Sequence, residues 1–284
     1  MNSIHKKINL NLSNIINEGE NILEKNDIIP AEREAVWLME FVLGKKIPAL
    51  NTKISEKQKF DFFQLINKRA THYPLQYLIG YVDFFDTEIH VTNNVLIPRP
   101  ETEEMVEIAC NLLDDCSNIP CCADIGTGSG CIAIAIAKKN NNTSWFACDA
   151  SESALKVAKS NAKKNSVSDK IKFFHGNWFD AFPKRKRFDF IISNPPYVEQ
   201  EEILQQELDY EPPTALFSGK TGLDDYRIII SNLHGKMTDN GIFLGEFGAG
   251  QSNALIKIAA ENNFKKVEIL KDLCGKERFI IIFA

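Results

Sequence analysis

The stretch Phe188-Asp189-Phe190-Ile191-Ile192-Ser193-Asn194-Pro195-Pro196-Tyr197 indicates the fold class of this chain. Its first six residues form a short, apolar, isoleucine-rich run, which is typical of a buried strand in a parallel sheet. The two prolines end that strand, because proline lacks a backbone donor and fixes φ. The loop that follows is therefore rigid and lies at the carboxyl end of a strand, where open α/β sheets bind their ligands.

The side chains that flank the two prolines suggest chemistry as well as a turn. Asn194 offers a neutral amide and Tyr197 an aromatic phenol. Together they suit the holding of a planar, uncharged amide or amine nitrogen. The simpler interpretation is a strand-ending turn in which asparagine is only a turn residue. All four residues directly after such a strand favour the functional interpretation.

The chain from Cys121 onward extends the same architecture. Strand-like and helix-like segments alternate there, which predicts βαβ units and a mostly parallel sheet. Residues 267–270 and 278–283 resemble two strands without a helix between them, so we expect them to pair antiparallel and close the sheet edge. The predicted fold class is therefore α/β, a Rossmann-like sheet with an antiparallel last strand.

The sequence predicts three parts along the chain. Residues 1–73 have helical periodicity and predict a small helical bundle. Residues 74–98 predict a β-hairpin linker, and residues 99–284 predict the sheet domain. Within the linker, the β-like segments are residues 76–82 and 84–91, with Asp83 as the expected turn between them.

Composition restricts the class of protein. The chain has 284 residues, of which 44% are hydrophobic and 25% charged, as in ordinary soluble globular proteins. Its formal net charge of −5 gives no broad basic field, so no direct nucleic-acid substrate is expected. We see no secretory signal and no apolar run long enough to cross a bilayer, and expect a cytoplasmic protein without a membrane partner. The seven cysteines and five histidines lack metal-ligand spacing, so no metal site is expected.

A glycine-rich loop follows the first strand of the predicted sheet. The stretch Asp124-Ile125-Gly126-Thr127-Gly128-Ser129-Gly130 joins that strand to a helix beginning near Cys131. Glycines permit a tight turn and let a ligand approach the backbone closely. The G-x-G-x-G spacing after an acid matches neither the dinucleotide fingerprint nor a P-loop. The residues expected to bind a cofactor here are Asp124, Gly126, Thr127, Gly128, Ser129 and Gly130.

The ends of the next two strands carry further candidates. Asp149 is placed to accept hydrogen bonds from a ribose diol, and its alternative role is a turn residue before a helix capped by Ser151. After the third strand, the amide of Asn177 and the flat indole of Trp178 suit an adenine, although Trp178 could equally be core. A backbone cradle, a diol acceptor and a base site at successive strand ends are the layout of an S-adenosylmethionine-dependent methyltransferase.

Several motifs resemble those of the release factor glutamine N5-methyltransferases, the HemK-like family, across nearly the whole chain. The stretch Ile97-Pro98-Arg99-Pro100-Glu101-Thr102-Glu103 and the helical module are specific to that resemblance, whereas Asn194-Pro195-Pro196-Tyr197 is shared with many N-methyltransferases. The other matching stretches are Pro74-Leu75-Gln76-Tyr77-Leu78-Ile79-Gly80, residues 124–130, Glu211-Pro212 with Ala215-Leu216, Gly245-Glu246-Phe247-Gly248 and Gly275-Lys276-Glu277-Arg278.

The resemblance implies a reaction and a partner. It implies methyl transfer from S-adenosylmethionine to the glutamine of the Gly-Gly-Gln (GGQ) loop in class I peptide chain release factors, leaving S-adenosylhomocysteine. It also implies that the helical module helps to dock the release factor. Relatives commonly carry aspartate where this chain has Asn177, whose carbonyl can still accept a hydrogen bond from the adenine amine.

The proposed roles assign catalysis and substrate binding to the four residues Asn194, Pro195, Pro196 and Tyr197. We expect Asn194 Oδ1 and the Pro195 carbonyl each to accept one N–H of the substrate amide, and Tyr197 to cover its flat face. Asn194 is also expected to lie beside the cofactor.

The approach segment before the first helix of the sheet domain supplies two more candidates. Glu101 and Thr102 are expected to line the substrate pocket. Their alternative role is to begin the helix predicted at residues 103–113, as an N-cap and a first-turn acid.

Three alternatives to release factor methylation remain open from the sequence. A sister family methylates a glutamine of a ribosomal protein, and it resembles the proline-rich approach stretch less well. An N6-adenine methyltransferase on nucleic acid would hold a flipped base in the same loop, but would need a sizeable basic surface. A non-catalytic cofactor-binding interaction module would bind the cofactor tightly and transfer no methyl group.

Overall fold

The computed structural model describes residues 12–47, 53–114, 120–140, 142–202 and 205–284, and the chain divides into two compact units between Gly80 and Tyr81. The first unit is helical and the second contains the sheet. No helix in the described ranges is both long and apolar enough to span a bilayer.

The described residues of the helical unit form four helices: α1 (Leu12–Glu24), α2 (Ala31–Leu43), α3 (Glu56–Arg69) and α4 (Leu75–Ile79). Its core includes the fully buried side chains of Leu38, Phe62 and Ile66. Ser55 caps α3 in a capping box with Gln58. The predicted helical bundle is thus present among the described residues.

Helix α4 corrects part of the prediction that residues 76–82 have β character: residues 76–79 are helical, and only Tyr81 and Val82 belong to a strand. Pro74 precedes the first turn and Gly80 ends it in the left-handed region at φ 83°, with its N–H bonded to the Gln76 carbonyl. A proline before and a glycine after one helical turn are the usual boundaries of a short helix, and they outweigh the β-propensity of the aromatic residue between them.

A buried ion pair joins two helices of this unit. Arg69 in α3 forms a two-pronged contact with the Glu34 carboxylate in α2, in which Nη2 donates to Oε1 at 3.1 Å. Both side chains are at most 9% exposed. Removal of one partner leaves the other charge buried without its counter-ion, which is strongly destabilising.

Glu34→Ala is therefore expected to lower the free energy of unfolding of the helical unit by about 3 kcal/mol. Amide hydrogen exchange of α2 and α3, followed by mass spectrometry, measures this change in the full-length chain. Glu32→Ala, which removes an exposed acid from the same helix, is the matched control. Equal protection in the two variants would show that the ion pair contributes no stability.

The second unit begins with a β-hairpin of β1 (Tyr81–Phe84) and β2 (Thr87–His90). The turn is Phe85-Asp86, where both residues have positive φ, as in the two-residue turns that match strand twist. Asp83 lies inside β1 opposite Glu88 instead of forming the predicted turn. The hairpin itself is confirmed, with a register set by the two residues after Phe84.

The main sheet has seven strands: β3 (Cys121–Ile125), β4 (Ser144–Asp149), β5 (Ile171–His175), β6 (Phe188–Ser193), β7 (Met237–Glu246), β8 (Val267–Lys271) and β9 (Glu277–Phe283). Their order is β5-β4-β3-β6-β7-β9-β8. Strands β3 to β7 are parallel, and β9 pairs antiparallel with both β7 and β8. The predicted α/β class and antiparallel last strands are confirmed, and β8 is the strand at the edge.

The strand order places the ligand-binding edge. The order reverses at β3, which lies between β4 and β6. At such a switch point the loops after the two central strands diverge and open a crevice at the carboxyl end of the sheet. The glycine loop follows β3 and the Asn194 loop follows β6, so both lie at this crevice.

In the part of this unit that the structure describes, five α-helices cover the sheet: α5 (Pro100–Asp114), α6 (Cys131–Lys139), α7 (Glu152–Lys164), α8 (Asp224–Lys236) and α9 (Ser252–Glu261). Helix α5 begins at Pro100, before the predicted start at Glu101 or Thr102. Proline suits the first helical position, because its missing N–H would have no partner inside the helix there. Both candidates therefore lie within the first turn.

Candidate functional site

A cavity of about 540 Å³ lies at the carboxyl end of the sheet. That volume is within the range of small-ligand sites, roughly 300–1,000 Å³. The predicted site residues that line it are Thr102, Gly126, Thr127, Gly128, Ser129, Asp149, Asn177, Trp178, Asn194 and Pro196. Those that do not line it are Glu101, Asp124, Gly130, Pro195 and Tyr197. Ten of the fifteen predicted site residues therefore line one cavity, and their functional roles stay predictions.

The glycine loop presents bare backbone to this cavity. Gly128 has φ of 54°, and a Cβ added there would meet no atom within 4 Å. A Cβ on Gly126 would lie 3.1 Å from Cζ3 of Trp178. The indole is therefore packed against the loop, and a ligand can reach the main chain at Gly128 without obstruction.

Asp124 lies beneath the loop and is fully buried. Its Oδ2 accepts a hydrogen bond of 2.6 Å from the Thr127 hydroxyl. Burial raises its pKa to about 7, against the opposing effects of the Thr127 hydroxyl and the Ala133 amide. Its Oδ1 has no partner that meets hydrogen-bond geometry in the described structure. Asp124 therefore contacts the loop directly, and any part in cofactor binding would act through that loop.

Asp149 connects the glycine loop to the start of α7. Its Oδ2 accepts from the Gly128 N–H and its Oδ1 from the Ser151 N–H, each at 2.8 Å. Ser151 in turn caps α7 by accepting from the Ala154 N–H. Burial raises the Asp149 pKa, and the Ser151 and Gly128 amides oppose that shift. The turn role is thus present, and each carboxylate oxygen keeps a further lone pair on the cavity wall.

Asn177 and Trp178 form the wall after β5. Trp178 begins a single 3₁₀ turn with φ of 43°, and the Asn177 side chain makes no capping hydrogen bond to it. Trp178 is also partly buried against the sheet core, and its indole contacts Gly126. The indole is therefore both a core and a cavity residue, and the Asn177 amide is not used as a cap.

Asn194 is held by its nitrogen. Its Nδ2 donates to the Thr102 hydroxyl oxygen at 3.1 Å, and among the described residues no donor reaches its Oδ1. The carbonyl end of this amide thus remains able to accept a hydrogen bond from a group in the cavity. Thr102 lines the same cavity and is 2% exposed, whereas Glu101 lies away from the cavity wall.

Tyr197 is directed away from the cavity. Its hydroxyl donates to Oε1 of Glu246 at 3.3 Å, and its backbone carbonyl accepts from Gln251 Nε2 at 2.9 Å. Pro195 is buried behind the wall that Pro196 lines. The covering role predicted for the tyrosine ring would require the ring to turn, and that role stays a prediction.

Three charged residues near the cavity had no predicted role. Arg99 lines the cavity and pairs with Glu211, which also accepts the Ile97 N–H at 3.0 Å. Asp225 lines the opposite part and accepts from the Ser218 hydroxyl at 2.7 Å. Glu246 ends β7. The sequence offered for Glu246 only an acid at the end of an apolar run, whose burial is known from the structure alone, and for Arg99 the two flanking prolines.

The described residues contain no group of three or more histidine, cysteine or acidic side chains arranged to hold a metal ion. The polar atoms of the cavity are backbone amides, hydroxyls, carboxamides and single charged groups. They suit an organic ligand with hydrogen-bonding groups.

Comparisons with known proteins follow the same division of the chain. Residues 14–80 match the PrmC N-terminal domain, and residues 108–217 match the methyltransferase small domain. A release factor glutamine methyltransferase from Thermodesulfovibrio yellowstonii is 40% identical, over 82% of this chain and 84% of that relative. One from Clostridium botulinum is 33% identical, over 95% of this chain and 98% of the relative. The chain belongs to the release factor glutamine methyltransferases.

Some relatives of this chain are longer than the chain itself. A bifunctional methyltransferase from Rickettsia typhi is 34% identical over 95% of this chain, but the match spans only 57% of that protein. Among solved structures, a methyltransferase from Pyrococcus furiosus has a TM-score of 0.55 at 16% identity, covering 76% of this chain and 98% of its own. The hMettl16 catalytic domain has a TM-score of 0.57 at 17% identity, covering 82% and 84%. These structures support the methyltransferase fold alone.

Proposed function

We propose that this chain transfers a methyl group from S-adenosylmethionine to the side-chain amide nitrogen of the glutamine in the GGQ loop of class I release factors. The observation that carries the proposal is Asn194, whose amide is tied by Nδ2 to Thr102 and leaves Oδ1 as an acceptor at the cavity. A neutral acceptor beside an open glycine loop suits a neutral amide substrate and a nucleoside cofactor. The release factor relatives support the substrate class.

The described residues fit S-adenosylmethionine. The open face of Gly128 suits the close approach of the cofactor's amino-acid part, and Asp149 suits its ribose hydroxyls. Asn177 and Trp178 suit the adenine, by an amide acceptor and a flat apolar face. When bound, S-adenosylmethionine supplies an electrophilic methyl group on a sulfonium whose sulfur keeps the bonding electrons.

The chain's own contribution is to position a poor nucleophile. An amide nitrogen is weakly nucleophilic, because its lone pair is delocalised into the carbonyl. Asn194 Oδ1 and the Pro195 carbonyl would each accept one N–H of the substrate, which fixes the nitrogen and increases its electron density. One of these protons leaves the nitrogen to water after methylation, which restores a neutral amide. Positioning of this kind contributes about 7–11 kcal/mol in favourable cases.

The helical unit is proposed to dock the release factor in the cytoplasm. Its match to the PrmC N-terminal domain supports a role specific to this family. Trp37, Phe41 and Phe60 are 41%, 44% and 63% exposed, and large exposed aromatic side chains are enriched at protein interfaces. Each of these side chains is able to contact a protein partner without unfolding the unit.

Incubation with purified release factor and isotopically labelled S-adenosylmethionine tests the proposal. Mass spectrometry of the GGQ peptide is expected to find one added methyl group on the glutamine side chain. A release factor with alanine in place of that glutamine is the matched control and should remain unlabelled. Parallel reactions contain a ribosomal protein fraction or single-stranded nucleic acid. Label found only in one of those reactions would overturn the proposed substrate.

A further inference from the structure

A buried chain of hydrogen bonds runs from the end of β7 to the cavity. The Thr102 hydroxyl donates to Oε2 of Glu246 at 2.7 Å, and the Thr102 hydroxyl oxygen accepts from Asn194 Nδ2 at 3.1 Å. Thr102 and Glu246 are 2% and 1% exposed. Three elements distant in sequence, α5, β7 and the loop after β6, are therefore linked through the Thr102 hydroxyl.

The direction of each hydrogen bond follows from the charge on Glu246. An ionised carboxylate only accepts, so the single hydroxyl proton of Thr102 must point to Glu246. The Thr102 oxygen then presents lone pairs to Asn194, and only the N–H₂ end of the amide can satisfy them. The carbonyl end is left for the cavity. A protonated or amide side chain at position 246 could donate to Thr102 and release the hydroxyl proton, which would then satisfy the opposite end of Asn194.

We propose that ionised Glu246 and Thr102 are positioning residues that keep the Asn194 carboxamide with its Oδ1 available to the substrate. The inference rests on the proposed function, because an acceptor at Asn194 Oδ1 is required only for a substrate that donates N–H. Neither residue needs to touch the reacting nitrogen.

The groups around Glu246 determine when it is ionised. Burial raises its pKa to about 7; Arg278 lowers the pKa and the Glu101 charge raises it. The Tyr197 hydroxyl donates to Oε1, which also lowers the pKa, and the Tyr226 hydroxyl donates to the backbone carbonyl of Glu246. An acid is charged above its pKa. The Asn194 carboxamide is therefore held with Oδ1 available to the substrate above about pH 7, and this orientation is lost as the pH falls through that value.

Two isosteric variants test this chain of hydrogen bonds by kinetics. At saturating cofactor and substrate, E246Q and T102V are each expected to lower kcat about tenfold, with a smaller change in KM. T102S, which keeps the hydroxyl, should stay within about twofold of the wild type. The double variant should lose no more than either single variant, because both changes remove the same orientation.

The pH profile separates orientation from folding. Wild-type kcat is expected to rise with pH through about 7, whereas kcat of E246Q should be low and flat over the same range. Saturating cofactor removes any effect of Asp124 titration on cofactor affinity, and E246Q keeps Asp124, so a step near pH 7 in the wild type alone comes from Glu246. Cofactor affinity and thermal unfolding of each variant check that the fold is intact.

A second measurement does not depend on turnover. The side-chain amide signal of Asn194 in a nitrogen-15 NMR spectrum, assigned by its loss in Asn194→Asp, should shift between pH 6 and 8 in the wild type. The shift should disappear in E246Q and in T102V. A titrating signal in a wild type that methylates no glutamine would support the positioning role and sink the proposed function. The positioning role alone would be overturned if the wild type methylates glutamine, T102V and E246Q are as active as the wild type, and the Asn194 amide signal does not shift with pH.

Discussion

Asn194→Ala is expected to reduce kcat about 10³-fold, the upper range for loss of one preorganised polar group at a reacting centre. The variant removes the only side-chain acceptor assigned to the substrate amide, while the Pro195 carbonyl and the cofactor contacts remain. Cofactor affinity should change by less than about tenfold, because the glycine loop and Asp149 are separate from this side chain. Steady-state methylation of release factor and calorimetric titration with S-adenosylhomocysteine give the two values.

Two further variants make the Asn194→Ala result specific. Asn232→Ala removes an exposed asparagine on α8 and should leave kcat unchanged. Asn194→Asp keeps the size of the side chain and an acceptor, but it loses the Nδ2 donor that bonds to Thr102 at 3.1 Å. It also adds a negative charge beside the buried Thr102 hydroxyl, whose proton is already donated to Glu246. It should therefore be nearly as inactive as the alanine variant. Near-normal turnover of Asn194→Ala would remove Asn194 from the mechanism.

The cavity residues that lie at strand ends could be predicted from the sequence, whereas others that line it, such as Arg99, Thr214 and Asp225, could not. Asp149, Trp178 and Asn194 each follow a short apolar run, and the carboxyl ends of parallel strands share one edge of the sheet. The local pattern therefore predicted both the strand and the edge of the sheet at which its last residues lie. The strand order, which brings β3 beside β6, was not predicted and comes from the structure.

Contacts between distant segments could not be predicted in this way. Thr102 and Glu246 are separated by 144 residues, and Arg99 and Glu211 by 112. Nothing in the local sequence of either partner specifies the other. Each acid is recognisable as unusual only once its burial is known, at 1% exposure for Glu246 and 3% for Glu211. The orientation of Tyr197 depends on its hydrogen bond to the buried Glu246 carboxylate. The local sequence does not reveal this distant contact, and the ring was therefore expected to face the cavity.

Asp149→Ala is expected to weaken cofactor binding on the order of 10²- to 10⁴-fold, because hydrogen bonds from two ribose hydroxyls to one carboxylate contribute about 1.5–3 kcal/mol each. The same substitution also leaves the Gly128 and Ser151 amides without their acceptor. A loss of affinity alone would therefore not distinguish ribose binding from support of the loop. The kcat at saturating cofactor should change much less, since the substrate amide is held elsewhere.

A cofactor analogue separates the two roles of Asp149. Calorimetry with S-adenosylhomocysteine and its 2′-deoxy form should show that the wild type prefers the hydroxylated ligand, whereas Asp149→Ala binds both with similar affinity. Such non-additivity is the signature of a direct contact between the two altered groups. If Asp149 only supports the loop, both ligands should lose the same factor and the preference should persist. Ser151→Ala, which removes the α7 cap and keeps the carboxylate, is the control: it should lower stability by about 1 kcal/mol and leave the preference intact.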